Sequence, residues 1–221
     1  MNQTSKVRVR LILPVARVRA AGFTFIELLM VIALLGVFLA LALPSFTGTV
    51  QRYRVSMAAS QIANLLQFAR IEAIRSRGYI AVAATGSPEP GCTPATLDAG
   101  VDWRCGIEAY SIVNDATGAH YDMLKTIPAS SFNGVSVRLQ APQNVQAMVY
   151  GPMGISSSPS EGASGAAGTA TVAIHVWPTA LGDDPATVPP TLVHTVCTLP
   201  AGKVKVIASY LDKADLDQCT N

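Results

Sequence analysis

Charge is scarce in this sequence. Of 221 residues only 14% are Asp, Glu, Lys or Arg, against about a quarter in an ordinary soluble protein. No acid occurs before Phe23. Histidine occurs three times, at 120, 175 and 194, with no HExxH and no Cys–His spacing, and the cysteines form no CxxC. These gaps exclude the regular zinc arrangements. The phosphate-cradling GxxxxGK[ST] and GxGxxG patterns are missing, as is the GxSxG nucleophile elbow. Ser156–Ser158 lie in a low-complexity stretch and Asp183–Asp184 in a Pro/Gly-rich turn, where solvated side chains are the ordinary reading. No catalytic residue, metal or cofactor is expected.

What the chain does contain is one long apolar run. Residues 23–43, FTFIELLMVIALLGVFLALAL, are apolar apart from Thr24 and Glu27. As a helix they would reach roughly 30 Å, one hydrocarbon core. Lys6, Arg8, Arg10, Arg17 and Arg19 precede the run, and a basic flank of this kind stays cytoplasmic and sends the following chain across the membrane. A cleaved secretory signal is the rival. It would have a shorter apolar region and a small-residue cleavage site, whereas this run continues unbroken to Pro44, as a retained anchor would. Five of the 16 Lys and Arg fall in the leader, so the 11 that remain face 14 acids and the rest of the chain carries a formal −3. Any contact with nucleic acid must then come from a local patch.

Cys92, Cys105, Cys197 and Cys219 all follow the apolar run, on the oxidising side, where an even count reads as disulfides. Four cysteines allow three pairings. The local loops Cys92–Cys105 and Cys197–Cys219 are the expected set.

Gly22-Phe23-Thr24-Phe25-Ile26-Glu27, basic before and apolar after, resembles the processing site of type IV pilins and type II secretion pseudopilins. The resemblance implies that a prepilin peptidase cuts between Gly22 and Phe23 and that Phe23 becomes the N-methylated first residue. It also implies an assembly role for Glu27, whose carboxylate would meet the N-terminal amine of a neighbouring subunit. An acid inside an apolar span is costly unless paired, so a partner is the natural expectation. The alternative is that Glu27 reaches the membrane interface from the start of the span. Gly36 and Pro44 sit where the same family places residues that loosen the helix.

Residues 51–77 continue as an amphipathic helix, with Val55, Ala58/Ala59, Ile62, Leu65/Leu66, Ala69 and Ala73 on one stripe, and Gly78 reads as its stop. Arg70, Arg75 and Arg77 fall largely off the stripe and read as a solvated face or a complement to the helix dipole. After Gly78 the pattern becomes short runs rich in Val, Ile and Thr, separated by Gly, Pro, Asn and Asp: 79–84, 107–114, 123–127, 135–140, 145–150, 169–177, 192–198 and 203–207. Strands without intervening helices predict one antiparallel sheet against the helix, an α+β fold. The segments 154–168 and 182–190 read as loops.

FARIEAIRSRGYIAVAA (68–84) and CTLPAGKVKVIAS (197–209) are similar to the corresponding regions of the GspH/FimT family of minor pilins and pseudopilins. Together with residues 22–43 they imply a pilin-like organisation. Residues 1–22 would be a cleaved basic leader, 23–43 the transmembrane segment, 44–78 the amphipathic second half of a long helix, and 79–221 a β-rich periplasmic domain. The implied protein is a non-enzymatic subunit of the inner membrane that joins a pilus or pseudopilus near its tip and helps initiate assembly. Its partners would be other pilin or pseudopilin subunits, the peptidase and the membrane. Some FimT-type proteins bind DNA through a Gly-Arg-x-Arg motif. Here Gly202-Lys203-Val204-Lys205 stands at those positions, with both lysines on one face of a strand. Two lysines without the fork of arginine give few phosphate contacts, and lysine on an edge strand also guards against aggregation. A bitopic periplasmic binding module unrelated to filaments is the alternative of another class.

Overall fold

The computed structural model describes residues 22–86, 90, 92, 101–115, 118–140, 147–157, 171–211 and 218–219. Side chains at 41–45, 101, 114–115 and 119 fall outside that description. Residues 1–21 of the predicted leader, most of the 154–168 loop and the first two residues of the runs at 145 and 169 also lie outside the described residues.

One helix, α1 (Phe25–Ser76), begins at a side-chain cap. Thr24 Oγ1 accepts from the Glu27 backbone N–H at 3.3 Å, and Thr24 O accepts from Leu28 N–H at 3.1 Å. Thr-x-x-Glu is the capping-box pattern, and an acid in the first turn also complements the helix dipole. The chain divides into two compact units at Ser45/Phe46. In the first unit every residue from Gly22 to Ala40 is exposed. In the second, the stripe of α1 from Val55 to Ala73 is buried, with Val55, Ala59, Ile62, Leu66, Ala69 and Ala73 at 0% exposure.

α1 does not stop as its sequence suggested. Arg77, not Gly78, adopts the left-handed conformation (φ 52°), and Gly78 N–H reaches back to Ala73 O at 3.2 Å. That is a Schellman ending with a side chain at the position glycine usually fills. Gly78 occupies the following position, where nothing demands a positive φ.

Among the described residues of the second unit ten strands follow: β1 (Tyr79–Ala84), β2 (Val101–Asp102), β3 (Gly106–Asp115), β4 (Gly118–Pro128), β5 (Val135–Gln140), β6 (Ala147–Tyr150), β7 (Ser156–Ser157), β8 (Val172–Pro178), β9 (His194–Thr198) and β10 (Val204–Ile207). They form two five-stranded sheets, not the single sheet expected. The first has the order β4-β3-β1-β6-β7 and the second β10-β9-β8-β5-β2, and all pairs are antiparallel. A 3₁₀ turn at Ala129–Phe132 carries the chain from one sheet to the other. Alternation along a strand sets which side chains face inward, but not which strand lies beside it, so the division was invisible in the pattern. β2 and β7 have two residues each and are too short to show a period.

The core belongs jointly to α1 and the two sheets. Ile62 and Leu66 of α1, Ile80 and Val82 of β1, Ile107 of β3, Leu139 of β5, and Ile174 and Val176 of β8 lie in one buried cluster. The opposite face of the second sheet is closed by smaller groups: Trp177 with Val188 and Val193, and Leu211 beside Cys197 and Cys219.

Candidate functional site

The residues singled out in the sequence fall in two places. The first is the head of α1. Gly22 and Phe23 lie just before the cap and are exposed. Glu27 is exposed in the first turn, and its N–H is the one that Thr24 caps. In the sequence Thr24 is a lone polar residue in an apolar run, and its Thr-x-x-Glu spacing to Glu27 is the signal of the cap. α1 continues through Gly36 and Pro44. A Cβ at Gly36 would meet nothing within 4 Å, so no packing within the chain requires a glycine there. Among the described residues no helix is long and apolar enough to cross a membrane; the expected span 23–43 runs into the side chains at 41–45, which lie outside the description.

The second place is the C-terminal edge of the second sheet. Lys203 is exposed. Lys205 is half-buried on the edge strand β10, paired across from Cys197, and its Nζ donates to Gln218 O at 3.3 Å. The two lysines therefore stand differently, one free to meet solvent and one turned to the chain's own C-terminal segment. Asp212, Asp215 and Asp217 lie outside the described residues. The structure pairs Cys92 with Cys105 and Cys197 with Cys219, with Cα–Cα separations of 5.5 Å and 5.9 Å.

The helix arginines do not form one solvated face. Arg75 makes a two-pronged ion pair with Glu72, which holds the Glu72 carboxyl below its usual range and raises the Arg75 guanidinium. Arg70 instead reaches across the domain, donating from Nη2 to Ala201 O at 3.0 Å. Its distant partner could not be read from helical spacing.

Histidines and acids have mostly structural surroundings. His175 is fully buried, its ring bonded to Thr195 and Gln140 and packed beside Tyr210 at 5.0 Å between centroids. His194 Nδ1 is buried with no partner among the described residues, and burial holds this imidazole below its usual value. Asp184 caps a short 3₁₀ helix by accepting from Ala186 N–H at 3.0 Å, and Asp183 lies 3.9 Å from Arg104. Asp102 in turn accepts from Arg104 Nε at 2.7 Å. An open cavity of about 370 Å³ lies beside Cys92, Arg104, Phe132 and Asn133. No group of three or more His, Cys, Asp and Glu among the described residues could hold a metal ion.

Known proteins give this geometry a family. Solved structures similar to the chain include the two that follow. One is the type IV minor pilin FimU of Pseudomonas aeruginosa, with 15% identity and a TM-score of 0.47 over 71% of this chain and 90% of that one. The other is the minor pseudopilin EpsH of the type 2 secretion system of Vibrio cholerae, with 11% identity and a TM-score of 0.44 over 70% of this chain and 97% of that one. No curated protein matches the sequence significantly. Residues 17–43 match the prokaryotic N-terminal methylation motif, and residues 58–186, more than half of the chain, match the type II transport protein GspH. The chain belongs to the GspH family of minor pilins and pseudopilins.

Proposed function

We propose that the chain is a non-enzymatic subunit, anchored in the inner membrane and later incorporated near the tip of a type IV pilus or a type II secretion pseudopilus, where it helps initiate assembly. In this reading residues 1–22 are removed by a prepilin peptidase, Phe23 is N-methylated, residues 23–43 hold the subunit in the membrane and residues 79–221 stand in the periplasm. The observation that carries the reading is the head of α1, apolar and exposed from Phe25 to Ala40 with a single acid, Glu27, in its first turn. A helix apolar on all sides needs hydrocarbon or other helices around it.

A second stretch of α1 supports the same partner. Phe46, Tyr53, Met57, Ile71 and Ile74 are exposed, and their numbering follows a heptad stripe on the side away from the buried one. The positions between them on that stripe, Ser60, Asn64 and Gln67, carry no charge. Such a stripe suits packing against a neighbouring helix.

Glu27 stands at the capping-box position and carries the charge a neighbour would meet, while the observed cap bond uses its backbone N–H, which a substitution at 27 keeps. Glu27→Gln keeps the capping pattern and removes the charge, while Glu27→Ala removes both. Both variants are expected to insert into the membrane and to be absent from sheared filaments or secretion complexes. Normal incorporation of Glu27→Gln would sink the charge-pairing role. DNA uptake through Lys203 and Lys205 is the weaker reading, because the Lys205 ammonium already faces Gln218. Salt-dependent DNA binding by the detergent-solubilised protein at low ionic strength would revive it.

A further inference from the structure

Arg70 sits where three parts of the second unit meet. Its Nη2 is bonded to Ala201 O at 3.0 Å, 131 residues along the chain, and its Nε is buried with no partner among the described residues. Two glycines make the space it occupies. A Cβ on Gly154 would lie 2.7 Å from Ile74 Cδ1 and 3.1 Å from Arg70 Nε. A Cβ on Gly202 would lie 1.9 Å from Gly154 O and 2.9 Å from Arg70 Nε. Both glycines have left-handed backbones, φ 70° and 75°, so conformation and space forbid a side chain at either position.

The turns carrying these glycines are also sewn to each other. Ser156 N–H donates to Pro200 O at 3.1 Å, and Ser156 Oγ to Leu199 O at 2.8 Å. The β6–β7 turn of the first sheet and the β9–β10 turn of the second thus meet on one helix side chain. On the inner side, Tyr150 OH and Thr198 Oγ1 are buried. Burial drives the Tyr150 phenol well above its usual value, with Thr198 and the Arg70 charge opposing the shift, although neither hydroxyl reaches a partner at full hydrogen-bonding geometry.

Beyond this junction β10 is held by its ladder with β9, by Lys205 Nζ donating to Gln218 O and, just past its end, by Thr195 Oγ1 donating to Ser209 O at 2.7 Å. Among the described residues this four-residue edge strand pairs with β9 alone, and its Val204 and Ile207 are only partly buried against the core clusters. An element with few buried contacts is the kind that opens locally while the rest of a domain stays closed.

We propose that Arg70 is a latch: by holding Ala201 against α1 it fastens the β9–β10 turn and the C-terminal edge of the second sheet to the helix, and its release frees that edge while both sheets remain folded. The glycine of the Gly202-Lys203-Val204-Lys205 segment then serves closure onto Gly154 and Arg70, whatever the lysines contact.

Hydrogen–deuterium exchange of the full-length protein in detergent, read by mass spectrometry, tests the latch. Arg70→Met keeps the aliphatic stem and removes every donor. It is expected to speed exchange of the amides in 199–207 by about tenfold or more while those of β5 stay unchanged. Gly202→Ala, whose Cβ would strike both Gly154 O and Arg70 Nε and so prise the turn from the junction, is expected to give the same local pattern. Unchanged exchange in 199–207 in both variants would overturn the proposal. So would equal acceleration in β5, or failure of both variants to fold, since either result makes the junction part of the global fold and not a separate latch.

Discussion

The two halves of α1 differ in what their own chain gives them to pack against. Between Val55 and Ala73 the small and branched residues of one stripe are buried against the sheets, and the charged residues stand mostly outside it. Between Phe25 and Ala40 no stripe exists, because apolar residues occupy all sides and every one is exposed. The lesson is that hydropathy alone describes neither half. An apolar stripe on a polar helix is completed by its own domain, whereas a helix that is apolar all round has to be completed from outside.

The sharpest way to break this contrast is to make the same truncation in each half. Leu66→Ala removes a side chain at 0% exposure and is expected to destabilise the domain by about 2–5 kcal/mol. Leu35→Ala, at 54% exposure, is expected to shift the same thermal melt by no more than ~0.5 kcal/mol. Equal effects would mean that the first half is also packed within the chain.

A smaller effect belongs to the end of the second half. Arg77 holds the left-handed conformation that glycine accepts without penalty, so Arg77→Gly is expected to raise stability by about 0.5–1 kcal/mol in chemical denaturation. A loss of stability would mean that the Arg77 side chain contributes more than its backbone costs.

The smallest is a pH effect confined to the domain. Burial keeps His194 neutral more readily in the folded state than in the unfolded one, so the folded chain binds fewer protons. Stability from this group is then fully present above the unfolded value of about 6.5 and declines as the pH falls below it. His194→Gln is expected to flatten the fall in melting temperature between pH 7 and pH 5. A slope as steep as the parent's would assign the effect to other groups.

Much of the domain was legible because burial writes itself into spacing. β1 and β5 occupy the runs that their β-branched content and flanking turn residues suggested, 79–84 and 135–140, and the stripe of α1 is the buried one. Other features depend on encounters between distant segments, which spacing does not encode. Arg70 resembles any solvated helix arginine until Ala201 is brought to it, and Gly202 resembles a turn glycine until Gly154 lies against it. The head of α1 is half legible: an acid in an apolar run stands out by its cost, while the threonine that caps the same turn carries no such cost. That cap uses the Glu27 backbone N–H, so the carboxylate is left for the intermolecular role proposed for it.

The account depends most on the first half of α1 being the start of a processed, membrane-held subunit. Intact-mass and N-terminal fragmentation of the protein extracted from membranes of its host tests this directly. The account predicts a chain beginning at N-methyl-Phe23, and a Gly22 variant that keeps its leader and runs heavier. A mature chain that still begins at Met1, or that carries an unmethylated N-terminus at some other residue, would contradict it.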